Sequence, residues 1–506
     1  FGSRPAQAFR FGFMCFFPVR ILLWFVTSRV RALSGLCFDS QPQLKSLVDA
    51  GGNSYPIGIW VNDWATGHLT ARVAGIVIKE KLGYNVELKG PGPLALDGFF
   101  ALTGCTSPTD KTDRGCGGDG DRLTDVHINV EVWTSTYQLA WEELKLKYPD
   151  KAPSNLGNMG YYGATALYVP SGVQERAYDA EGINLDFYRD YNSSRENPGR
   201  HFANPGDVNV SYLLPCNETA LMLNEVMSNY LDLTGDLEGV SGTAPDLTGK
   251  CYNQYFWLAP GCRTQPSTCL IWFTGGNGWG MFETLLKATV YNMPVATAVA
   301  SSFANYGLLP NSYDMMLYWW VPDPTFLRLT PMKITFPEHD PDAWAKGDSR
   351  TAARDVSIDK HVSQDLESLA PEVVELISRL TMSLDTVNKL MLNQLDTGDS
   401  NFDVACRWLK ENEHNEKSWS SWLPERGKCF SQFGMYSERT QTFLMKRNDS
   451  DSAITCRACP SGFYSSRLED GQGITFICLP CESGSFQTSG AATLCNPCPA
   501  GSYQNE

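Results

Sequence analysis

The chain has 506 residues, enough for about three domains with sizeable cores, and its 42% hydrophobic content excludes a wholly disordered protein. A formal net charge of −15 argues against wrapping nucleic acid or an anionic membrane, since both require a Lys/Arg surplus. Sixteen cysteines are too many for an ordinary cytosolic protein and point to an oxidising compartment. The six histidines, at 68, 127, 201, 339, 361 and 414, are dispersed, so neither a zinc-protease motif nor a clustered metal site is expected, and no cofactor is implied.

The first 34 residues read as an export signal if Met14 is the start. An apolar stretch, broken by Arg20, is followed by Ala32-Leu33-Ser34, small residues at the −3 and −1 positions of a cleavage site. Arg20 leaves the apolar run too short to span a bilayer. Four Asn-x-Ser/Thr sequons, at Asn192, Asn209, Asn217 and Asn448, agree with a secreted protein or the extracellular face of a membrane.

From 54 to 425 strand and helix signals alternate, which predicts an α/β fold. Tyr55–Val61 is rich in β-formers. Leu69, Val73, Ile76 and Val77 form the stripe of a helix over 66–82 that ends before Gly83, and Asn85–Leu88 reads as the next strand. The charge-free run between Lys287 and Asp314 is read as a buried helix plus loop. Pro371 opens a helix striped by Val374, Ile377 and Leu380, and a further helix holds Phe402, Ala405, Cys406 and Leu409.

Within this region IGIWVNDWATGHLTARVAGIVIKEKLGYNVEL (57–88) resembles the start of glycine betaine/proline betaine substrate-binding proteins of ABC transporters. VHINVEVWTSTY (126–137), NLGNMGYYGATALYVPSGV (155–173), DMMLYWWVPDPTF (314–326) and DVACRWLKENEHNEKSW (403–419) resemble later parts of that family, in order. The resemblance implies a two-lobed type II periplasmic-binding-protein fold, with lobe 1 at about 54–165 and 322–425, lobe 2 at about 166–321, and residues 35–425 as the binding domain. Two inserts depart from the family. One, at 104–122, carries Cys105 and Cys116; the other, at 190–269, carries Cys216, Cys251, Cys262 and Cys269. The family often has a His after its Trp-x-Pro; Asp323 stands there in this chain and joins the candidate ligand-binding residues.

The implied ligand is a small zwitterionic or cationic quaternary ammonium. Such a cation cannot donate hydrogen bonds, and aromatic faces hold it through the ring quadrupole, Trp best of all. Trp64, Trp133 and Trp320 stand at strand ends, and Trp279 in GGNGWG (275–280) supplies a fourth wall. Alternation along a strand places Trp319 and Trp320 on opposite faces. Gly160 and Gly275-Gly276 would expose N–H groups to an anionic end of the ligand. GGNGWG lacks the Gly-Lys-Ser/Thr ending of a phosphate loop, and GGDGDRLTD (117–125) lacks calcium-loop spacing. No nucleophile elbow or acid/base pair emerges, so an enzyme is not expected. The rival reading is an interaction or receptor ectodomain whose cleft has degenerated.

After Cys429 the composition changes. Cys-x-x-Cys recurs at 456/459, 478/481 and 495/498, with Gly-x-aromatic steps at Gly434, Gly462, Gly484 and Gly501, an internal repeat of units too small for a core of their own. The 18 residues between Cys459 and Cys478 also suit a zinc ribbon, but the repeated step and the signal-like start favour disulfides. The repeats, over 429–506, resemble the cysteine-rich modules of tumour-necrosis-factor-receptor and ephrin-receptor ectodomains. That resemblance implies a ladder of Cys429–Cys456, Cys459–Cys478 and Cys481–Cys495. It leaves Cys498 without a partner, so further repeats are expected beyond residue 506. Short loops favour Cys105–Cys116 and Cys262–Cys269. Cys216–Cys251 is a further candidate, and Cys37 and Cys406 are unassigned. Expected partners are the small ligand and either a membrane permease or a membrane-anchored region beyond the sequence, with no nucleic acid.

Overall fold

The computed structural model describes residues 35–38, 44–49, 51–92, 94–110, 114–116, 124–192, 198–275, 279–414, 419–424, 428–429, 433–437, 439–446, 454–470, 473–486 and 493–498. The signal-like segment, most of the acidic loop and the Asn448 sequon lie outside them.

The fold is mixed α/β. One sheet contains β1 (Ile57–Asn62), β2 (Val86–Gly92), β3 (Ile128–Trp133), β4 (Ser154–Val169), β5 (Cys251–Tyr252), β6 (Phe256–Leu258), β7 (Leu270–Thr274), β8 (Val295–Val299), β9 (Met316–Val321) and β10 (Val356–Val362). Their spatial order is β2-β1-β3-β10-β4-β9-β7-β8-β6-β5, with Met332–Lys333 beside β4. In one half β1 runs parallel to β2 and β3; in the other β7 runs parallel to β8 and β9. β4 joins the halves: Ser154–Gly163 pairs antiparallel with β10, and Ala164–Tyr168 with β9. Every residue of β1, β3, β7 and β8 is buried, as expected of parallel strands covered on both faces.

The helices used below are α1 (Ala65–Lys81), α2 (Ala95–Leu102), α3 (Met281–Val290), α4 (Phe303–Ser312), α5 (Pro324–Leu329), α6 (Pro371–Arg379) and α7 (Asn401–Glu411). The stripe expected over 66–82 is buried, but so are Thr66, Thr70, Ala71, Ala74 and Ile78. A helix apolar on most sides belongs between layers, and α1 packs against both the sheet and α7. Gly83 follows at φ +73°, a left-handed conformation that favours glycine at a helix C-terminus. The charge-free run differs from expectation: α3 ends at Val290, β8 spans Val295–Val299, and α4 begins at Phe303. Apolar periodicity alone does not separate a short buried strand from a helix, and here pairing with β7 decides. Among the described residues no helix is long and apolar enough to cross a membrane.

Among the described residues seven disulfides are formed: Cys37–Cys406, Cys105–Cys116, Cys216–Cys251, Cys262–Cys269, Cys429–Cys456, Cys459–Cys478 and Cys481–Cys495. Cys498 is unpaired among the described cysteines. The first of these joins residues 369 apart in sequence and ties the start of the described chain to α7. The cysteine-rich segment does not stand apart from the sheet. Phe433, Met435, Ile454, Cys456 and Ile477 share one apolar cluster with α1, α6 and α7.

Of the sequons, Asn209 and Asn217 are exposed; Asn192 is half-buried and accepts a bond from the Asn292 amide at 3.3 Å.

Candidate functional site

The carboxyl ends of β1, β3, β7 and β9 converge where the two halves of the sheet meet, the position at which open α/β sheets bind ligands. Trp64 follows β1 and precedes α1, Trp133 ends β3, Trp279 follows β7, and Trp320 lies near the end of β9. All four line one cavity of about 90 Å³, together with Leu94, Ala95, Thr136, Tyr137, Thr165 and Tyr318. Six of these ten side chains are aromatic, and among the described residues no charged side chain lines the cavity.

The walls from the second half are braced by one another. Trp279 meets Trp320 edge-on, with centroids 5.2 Å apart and an interplanar angle of 79°. Such edge-to-face pairs are favoured by the ring quadrupoles. Tyr306 of α4 stacks on Trp319 at 4.3 Å and on Trp320 at 5.9 Å. Its hydroxyl donates to the Tyr318 carbonyl. Trp319 and Trp320 are themselves stacked at 5.4 Å, so simple strand alternation does not hold for these rings; Trp320 reaches the cavity, while Trp319 is 1% exposed.

Glycine backbone makes room for the rings. A Cβ on Gly163 would lie 2.5 Å from the outer atoms of the Trp133 ring and 2.9 Å from Ile358. One on Gly280, whose φ is +66°, would lie 2.3 Å from the Tyr318 ring. Gly163→Ala is expected to lower stability by about 1–3 kcal/mol and to displace Trp133. Thermal unfolding and tryptophan emission report both effects, and an unchanged variant would mean that the ring does not lie flat on β4.

Behind the first-half walls is a residue that the sequence reading missed. Glu131 of β3 is 0% exposed. Its Oε1 accepts from the Trp64 indole Nε1 at 2.8 Å and from the Thr66 hydroxyl at 2.7 Å. The Trp133 indole and the Tyr161 hydroxyl also bear on this carboxylate. Burial pushes its pKa up to about 7, against the lowering effect of these donors. A bulge helps to aim it: β3 advances three residues, from Asn129 to Val132, while β10 advances two, from His361 to Asp359. A sequence signal existed, since Glu131 stands two residues from Trp133 in a strand otherwise rich in apolar residues.

Two residues expected in the site lie elsewhere. Gly160, at φ +111°, packs against the Met382 backbone and does not line the cavity. Asp323 is buried and caps α5. Its Oδ1 accepts from the Thr325 N–H at 2.8 Å and from the Trp319 indole at 3.0 Å, and it too is absent from the lining. Its short side chain satisfies the free N–H groups of the first turn, as an N-cap carboxylate does. At Gly275, read as an anion-binding turn, the Tyr306 ring lies 2.6 Å from where a Cβ would be; Gly276 is outside the described residues.

Residues 273–411 match the family model OpuAC, the substrate binding domain of an ABC-type glycine betaine transport system. No curated protein matches the chain. Similar solved structures include lactococcal OpuAC in a closed-liganded conformation with glycine betaine, at 12% identity and a TM-score of 0.41, over 73% of this chain and 100% of that one. The glycine betaine/L-proline-binding protein ProX from Borrelia burgdorferi has 12% identity and a TM-score of 0.39, over 73% and 97% of the two chains. An ABC-transporter choline binding protein in complex with choline has 12% identity and a TM-score of 0.40, over 72% and 92%.

Proposed function

We propose that this chain binds a small quaternary-ammonium compound of the glycine betaine or choline type, with the cationic head among Trp64, Trp133, Trp279 and Trp320. The observation that carries this reading is the convergence of four Trp, two from each half of the sheet, on one small cavity. A quaternary ammonium offers no hydrogen-bond donor, so aromatic faces rather than acceptor groups retain it, and a desolvated cage strengthens the attraction. Thr136 and Thr165 add hydroxyl groups to the lining, and in this reading they serve the polar end of the ligand. The family match includes Trp279 and Trp320 and supports the same ligand class.

In this proposal residues 35–425 form the binding unit, 1–34 direct export, and 429–506 form a disulfide-rich extension. The setting is extracellular, and the binding unit delivers or reports its ligand to a membrane-associated partner such as a permease.

Calorimetric titration of the full chain against glycine betaine, choline and proline tests the proposal. Saturable binding of at least one quaternary compound, with a weaker response to the secondary ammonium of proline, is the expected result. Silence toward all three would replace this reading with that of an interaction module whose cleft no longer binds.

A further inference from the structure

We propose that Glu131 is a positioning residue of the cavity: its buried carboxylate fixes the Trp64 indole and places behind that wall a negative charge that strengthens the hold on a cation. The inference rests on the quaternary-ammonium reading for its ligand, and on geometry for its mechanism. Trp64, at the N-terminus of α1, and Trp133, at the end of β3, both line the cavity, and the Trp64 indole donates to the carboxylate that stands two residues before Trp133. A neutral hydrogen-bond acceptor would also orient the Trp64 ring. A carboxylate does more, because a charge-assisted bond is stronger and its field reaches the ligand through a single ring in a medium of low dielectric. Oε1 also lies at the first turn of α1, a 17-residue helix whose dipole favours the ionised form.

The pH sensitivity this creates belongs to Glu131. Tyr161 of β4 is the titratable side chain that bears on it among the described residues, and burial together with the Glu131 charge holds that phenol neutral. The other nearby titratable groups are engaged elsewhere. On β10, Asp359 accepts from Asn155, Lys360 donates to the carbonyls of Ser378 and Leu380, and His361 meets the Thr134 hydroxyl. On α2, Asp97 pairs with Arg114; before α1, Asp63 pairs with His68. From β1, Asn62 donates to the Glu131 carbonyl and carries no charge.

Ionisation has opposite effects on folding and on binding. Burial favours the acid form, so the free protein loses stability as the pH rises from the ordinary carboxylate range to about 7. A bound cation favours the ionised form, so affinity rises over the same window and levels off above it. A residue that only props up the rings produces no such rise.

Two measurements on the full chain test this. Tryptophan is replaced biosynthetically by 5-fluorotryptophan, with the Trp64 resonance assigned through Trp64→Phe. In the ligand-free protein that resonance is expected to titrate near pH 7, and not in Glu131→Gln, whose amide oxygen still accepts from Trp64 and Thr66. Choline affinity of the wild type is expected to rise roughly ten-fold between pH 5.5 and 8.5, the change produced by a one-unit shift of the carboxylate on binding. Glu131→Gln should stay at the low-pH value throughout. A Trp64 resonance that does not titrate, a flat wild-type profile, or a pH slope that survives in Glu131→Gln would each overturn the proposal. A titrating resonance without choline binding at any pH would refute the quaternary-ammonium reading, and with it the gain in cation affinity, while the hold on Trp64 would stand.

Discussion

Replacing Trp64 or Trp320 by Ala should weaken binding of a quaternary ammonium about ten-fold or more. Each aromatic wall in a desolvated cage contributes roughly 1–2 kcal/mol, and about 1.4 kcal/mol is one decade of affinity. The two variants should differ in stability. Trp320 is stacked on Tyr306 and Trp319, so its loss opens a cavity in a packed cluster and costs about 3–5 kcal/mol. Trp64 donates its indole to Glu131, so its removal takes a partner from a buried carboxylate. Phe at either position retains a weaker π face and should cost less affinity than Ala. Raising the salt concentration should change binding little, because the contact is short-range and buried. Calorimetry on wild type, the Ala variants and the Phe variants at two salt concentrations is the check. Equal affinities across all of them would remove the aromatic cage from the account.

Arg379→Leu should destabilise the chain by about 3–5 kcal/mol, the cost of leaving one member of a buried ion pair without its partner. Arg379 and Glu375 lie one turn apart on α6, with side chains 2% and 3% exposed. The guanidinium also donates to the Leu423 and Lys428 carbonyls, both at 2.6 Å, and so secures the chain as it leaves the α/β body for the cysteine-rich segment. Two results are expected from the variant: a lower midpoint in denaturant, and faster proteolysis near residues 423–428. The double variant Glu375→Leu, Arg379→Leu should recover part of the loss, since an apolar pair leaves no uncompensated charge. A single variant no less stable than the double would show that the pair is not the anchor.

Local pattern alone carried a good deal of this structure. The stripe of Leu69, Val73, Ile76 and Val77 identified α1, because 3.6-residue periodicity is a property of neighbouring side chains and needs no partner to be read. Cys105–Cys116 and Cys262–Cys269 followed from short loops, whose ends meet at low entropic cost. Trp64, Trp133 and Trp320 are wall candidates by their places at strand ends and Trp279 by its place in GGNGWG, and the tertiary structure gathers all four at one cavity. What separates neighbours in sequence from neighbours in space had to wait for the fold. Glu131 meets Trp64 across 67 positions and Cys37 meets Cys406 across 369, through sheet register and helix packing that no local periodicity encodes. Val295–Val299 became a strand because β7 offered it a parallel edge. Trp319 and Trp320 stacked because Tyr306 lies against both, and Asp323 was drawn into capping α5, since a buried helix end needs an acceptor more than the cavity needs a charge. Sequence thus determined which residues could form an aromatic site; the packing of two half-sheets about β4 decided which of them face the cavity and which carboxylate stands behind them.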